Sequence, residues 1–118
     1  MKITETQKSG IVILRIEGNV DVESINTLDN TIKDALFIRE KDVLLDMGDL
    51  KQINSIGMAV IGYYAAKARE DGLTFALFSN NSSMEDFLQA NGLAGMVVIY
   101  PDLEAALLGI SREKNSQQ

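Results

Sequence analysis

The sequence contains neither cysteine nor histidine. Without thiolate or imidazole there is no disulfide framework, no Ser-His triad, no cysteine nucleophile and no usual zinc site. Also missing is a long apolar run: none approaches the ~18 residues of a membrane-spanning helix, so a soluble chain is expected. The opening "MKITETQKSG" lacks the apolar stretch of a secretory signal, which predicts a cytoplasmic location. Basic residues are few and scattered, 11 against 17 acidic ones, for a net charge of -6. Phosphate backbones are bound through clustered Lys and Arg, so direct nucleic-acid binding is not expected and a protein partner is.

What is present fits one globular domain. The chain has 118 residues, 46% apolar and 24% charged, enough to bury roughly two thirds of the surface of the unfolded chain. "KITETQK" and the β-branched "IVILRIEG" (11–18), joined at Ser9 and Gly10, predict a hairpin. From Val22 the apolar residues Ile25, Leu28, Ile32, Ala35 and Leu36 follow helical spacing, with Asp21 as the expected N-cap. "DVLLDM" (42–47) reads as a central strand and "GDLKQIN" as the loop after it. A helix is predicted from Ile56 to Glu70 with Gly72 closing it, then a strand over 73–78. "SSMEDFLQANGL" predicts a helix capped by Ser82 or Ser83, "VVIY" (97–100) a short strand, and "LEAALLGI" a final helix opened by Pro101 and Asp102. The domain is expected to end near residue 110, with 111–118 a polar, frayed tail. Strands alternating with helices after a hairpin imply an α/β fold, a mixed and mostly parallel sheet carrying about four helices.

The residues that carry chemistry cluster in "INSIGMAVIGYYAA" (53–66). "GMAVIG" has the glycine spacing of a phosphate loop, but Tyr63 and Tyr64 stand where that loop needs Lys and Ser or Thr, and the dinucleotide fingerprint is absent. Asp21, Asp46 and Asp49 lie at strand ends, where a magnesium site is one reading and turn capping the other. Ser55 is either an ordinary helix-start serine accepting the Met58 amide or, if Asn54 does the capping, a residue with its hydroxyl free. Gly57 leaves bare backbone beside it, as an approach point would need. The run from Ile56 to Ala66 has no charge, whereas a helix on a sheet normally shows a polar outer stripe. A helical wheel puts Val60, Ile61, Tyr64, Ala65 and Ala68 inward, with Met58, Ala59 and Gly62 on or beyond the core's edge, as either packing or an interaction surface.

From about residue 3 to residue 110 the chain resembles the anti-sigma factor antagonists of the STAS domain family. The likeness rests on "EGNVD" closing the second strand and on "LLDMGDLKQINSIGMAVI" joining the third strand to its helix. The family's apolar–Asp–Ser/Thr–small–Gly–aliphatic pattern falls on Ile53, Asn54, Ser55, Ile56, Gly57 and Met58, with Asn54 in place of Asp and Ile56 in place of a small residue. The resemblance implies a non-enzymatic switch that needs no cofactor. Ser55 would be phosphorylated by an anti-sigma factor that is also a serine kinase, and a serine phosphatase would reverse it. Asp21, Asn54, Gly57 and Met58 would meet the partner, which the unphosphorylated form binds. The alternative is the role of STAS domains that are unphosphorylated subunits of lipid transport ATPases.

Overall fold

The structure, a computed structural model, describes residues 1–116. A hairpin of β1 (Lys2–Lys8) and β2 (Ile11–Val20) leads into α1 (Ile25–Lys33), which widens into a π-helical turn over Asp34–Ile38. Then come β3 (Asp42–Asp46), β4 (Leu50–Ile53), α2 (Ser55–Glu70), β5 (Phe75–Phe78), α3 (Ser82–Ala90), a 3-10 turn at Leu93–Gly95, β6 (Val98–Tyr100) and α4 (Leu103–Ser116). The sheet runs β1-β2-β3-β5-β6, antiparallel only between β1 and β2, with β4 added to the end of β2.

β2 alternates poorly in polarity because both its faces are covered. Val12, Leu14 and Ile16 enter the core under α1, α2 and α3, while Ile11 and Ile13 meet Ala106 and Ile110 of α4 on the other side. β3 divides likewise, Val43 and Leu45 to the first face and Leu44 to the second. Each such side chain taken fully out of water contributes roughly 1.5–3 kcal/mol.

Four local expectations are corrected. Asp21 does not cap α1 directly. Its carboxylate accepts the Ser24 N–H at 3.2 Å while the Ser24 hydroxyl accepts the Asp21 N–H at 2.8 Å, closing a turn one step before the helix. α3 is capped by Asn81, whose Oδ1 accepts from the amides of Ser83 (3.1 Å) and Met84 (3.2 Å), so neither Ser82 nor Ser83 is needed. "LKQI", read as loop, is strand β4, created by pairing with β2 that no local pattern announces. Finally α4 continues through Ser111 to Ser116 instead of fraying. Lys114 holds it down with Nζ 3.1 Å from the Asp42 carboxylate, at the start of β3. Residues 117–118 of the expected tail lie outside the described residues.

Tyr64 fastens α2 to α1: its buried hydroxyl donates to Asp29 Oδ1 at 2.8 Å. Burial first, then the Asp29 carboxylate, push the phenol's pKa well above its ordinary value. The folded state therefore holds this proton more tightly than the unfolded chain, whose tyrosines titrate near ~10. That stability is complete below the unfolded pKa and lost as pH rises past it. Urea midpoints measured through this range should fall more steeply for the wild type than for Tyr64→Phe; equal slopes would mean that the phenol does not couple to folding.

Candidate functional site: the start of α2

The site is assembled where β2 and β4 end together. Val20 pairs with Ile53, so the residues that follow, Asp21 and Asn54, leave the sheet side by side. The Asn54 N–H donates to the Val20 carbonyl at 3.1 Å, which fixes the direction in which α2 departs. Asn54 has extended backbone, and its Oδ1 accepts the Gly57 N–H at 2.7 Å. It is thus the N-cap, and the first-turn amides of Ser55 and Ile56 keep no partner of their own in the helix.

Because Asn54 fills the cap, Ser55 is released from it. Its side chain is exposed, and its hydroxyl makes no hydrogen bond among the described residues. An exposed hydroxyl beside unpaired helix-start amides is a suitable acceptor for an anion-bearing group, since dipole and free N–H donors both favour negative charge there. Removing the cap should be felt locally: Asn54→Ala is expected to cost about 1 kcal/mol of unfolding free energy, read from urea denaturation. No loss would mean that water replaces the Asn54 side chain at no cost.

Gly57 has a different place from the expected one. It is buried, and a Cβ built on it would lie 2.7 Å from Val20 Cγ1 and 2.9 Å from Ile53 Cγ1. The close approach it permits is that of the strand ends of its own domain. Met58 is half-buried and packs against the core, and Gly62 is buried beneath the Met96 sulfur. The outward side of α2 instead carries Ile56, 52% exposed, Ala59, and Tyr63, 58% exposed, with Ala66 a turn further on. These positions recur at three- and four-residue steps, making one apolar stripe that begins beside Ser55. Ile56 and Tyr63 were missed as surface residues. The signal was the missing charge in "IGMAVIGYYAA", which could not be divided between core and surface without the packing.

The carboxylates considered for a metal are each used within the fold. Asp46 Oδ1 accepts the Gly48 N–H at 3.0 Å, Asp49 pairs with Arg15, and Asp21 closes the turn with Ser24. No three metal-ligating side chains gather among the described residues.

A family model for the STAS domain matches residues 2–106. The chain belongs to the STAS domain family. No curated protein matches it in sequence, but solved structures share the fold. A putative anti-sigma factor antagonist from Thermotoga maritima superposes with a TM-score of 0.80 at 22% identity, over 92% of this chain and 94% of that one. An anti-sigma factor antagonist from Mycobacterium paratuberculosis gives 0.74 at 16% identity, over 93% of each chain. The anti-sigma factor antagonist SpoIIAA, in its unphosphorylated form, gives 0.70 at 13% identity, over 94% of this chain and 98% of its own. In this STAS domain Ser55 thus stands exposed at the start of α2. Asp21 and Asn54 flank it from the paired strand ends, while Gly57 lies behind it in the packing.

Proposed function

We propose that this STAS domain is an anti-sigma factor antagonist that works by partner switching. Unphosphorylated, it binds an anti-sigma factor that is also a serine kinase, freeing a sigma factor. The kinase phosphorylates Ser55 and lets go, and a serine phosphatase restores the binding form. The domain acts in the cytoplasm by binding alone, with no catalysis or cofactor of its own and no contact with nucleic acid or membrane. The observation that carries this reading is the uncapped, exposed Ser55 hydroxyl next to an Asn54 that already caps the helix. Asp21 and the stripe from Ile56 to Tyr63 supply the surrounding contact surface, with Met58 at its half-buried margin and Gly57 shaping it from behind.

The test is to incubate the protein with ATP and the anti-sigma kinase encoded nearest its gene, then weigh it intact. One phosphate on the wild type and none on Ser55→Ala is the expected result. No adduct, or an adduct that survives Ser55→Ala, would overturn the assignment. Recovery of the domain with lipid transport ATPase subunits, never phosphorylated, would replace it by the alternative role. Asn54→Asp, which keeps the cap acceptor and adds the charge usual in the family, is expected to change the phosphorylation rate in the same assay; an equal rate would mean that the kinase does not read this position.

A further inference from the structure

The sheet splits beyond β3. Met47 still belongs to the β5 side, its N–H donating to the Phe78 carbonyl at 2.9 Å, but β4 crosses to extend β2. Past Phe78 the chain turns away through Ser79–Asn81 into α3. Between the two lies a cleft of about 710 Å³, bounded by all of β4 on one side and by Asn81 and the Ser83, Met84 and Phe87 side of α3 on the other, and reaching Asp21 and Asn54 at the end next to Ser55. Successive side chains of a strand point to opposite faces, so a cleft touching four successive residues runs along the backbone edge. That edge is open. Among the described residues β4 pairs with β2 alone, and Lys51 is a bulge residue with no opposite number on β2. Since the Asn54 N–H points to Val20, alternation turns the Ile53 N–H away from β2 and toward the cleft.

An unpaired strand edge facing a wall that offers Met84 and Phe87 between polar residues is complementary to another main chain in extended form, more than to a compact ligand. We propose that this cleft takes an extended peptide segment of a protein partner, added as a strand to the outer edge of β4. Four residues of strand offer about 13 Å of edge, and Phe87, 42% exposed, with Met84 would seat every second side chain of the guest. Among the described residues no chain end is placed to fill the cleft. α4 packs on the opposite sheet face, and Lys114 ties its end to Asp42 at the other end of the strands. The proposal does not depend on phosphorylation of Ser55.

The probe is a peptide selected from a displayed random heptapeptide library on the immobilised full chain, then synthesised and added to isotope-labelled protein. At saturation the Lys51 and Ile53 amides should exchange hydrogen at least ~10-fold more slowly, and Phe87→Ser should weaken binding by a similar factor. N-methylation of alternate peptide amides should abolish binding, a readout that needs no protein variant. Failure to select any binder, protection confined to α2 amides, or indifference to N-methylation would overturn the proposal. So would ATP or GTP displacing the peptide with the same amide protection, which would make the cleft a nucleotide site.

Discussion

Ser55→Asp is expected to fold like the wild type and to lose the proposed anti-sigma partner, with affinity reduced at least about 100-fold. The two halves of this result have separate causes. Within the domain the new charge sits in the first turn of α2, beside the unpaired amides of Ser55 and Ile56 and clear of the cap bond between Asn54 and Gly57. A negative charge there is favourable by about 0.3–1 kcal/mol, so the thermal midpoint should hold or rise slightly. In a contact centred on Ser55 and Ile56 the same charge would be buried without a counterion, which costs several kcal/mol, and each ~1.4 kcal/mol is tenfold in affinity. A phosphate, with about -1.5 to -2 charges, should act more strongly in the same direction. Calorimetric titration against the partner, alongside thermal unfolding, measures both halves. Ser55→Ala is the control, retaining binding while refusing phosphate. Unchanged affinity for Ser55→Asp would move the interface away from the start of α2.

Gly57→Ala is expected to destabilise the domain by about 1–3 kcal/mol, the typical cost of forcing an extra methyl into a packed site. In an open helix the same change would stabilise by roughly 1 kcal/mol, because Gly is the poorer helix former. The sign is reversed by the neighbours: the new methyl would meet Val20 Cγ1 at 2.7 Å and Ile53 Cγ1 at 2.9 Å, and Asn54 Oδ1 at 3.3 Å. Neither aliphatic chain can swing aside, since both are buried in the core and pinned by the pairing of β2 with β4. Urea denaturation gives the difference directly. A stabilised Gly57→Ala that still fails to bind the partner would restore the glycine as an approach point and reject the packing reading.

The two glycines of α2 show how far local pattern reaches. As letters, Gly57 and Gly62 are alike, helix positions that sacrifice propensity for room. Room for what is a tertiary matter: Gly57 admits Val20 and Ile53, and Gly62 admits Met96, which follows the 3-10 turn after α3. The wheel placed Ile61, Tyr64, Ala65 and Ala68 inward correctly because three- and four-residue spacing depends on nothing beyond the helix itself. It could not assign Ile56 or Tyr63, since an uncharged side chain is compatible with either face until the neighbours are known. Asn54 was readable as a cap, a bond made within three residues. Asn81 was not, since two serines compete beside it and the bend that selects the asparagine is tied through Ser79 Oγ.

The sequence by itself determined the hairpin, the alternation of strands and helices, and Asn54 as a possible cap that would leave Ser55 free. All of these rest on periodicity, caps and turns, whose partners lie within a few residues. The tertiary structure alone decided that β4 is a strand, that α1–α3 share one sheet face while α4 takes the other, and that Gly57 turns inward. It also decided that an apolar stripe from Ile56 to Tyr63 faces outward beside the serine. These depend on contacts between residues tens of positions apart. Their energies come from burial and pairing across the sheet, which no local window of sequence contains.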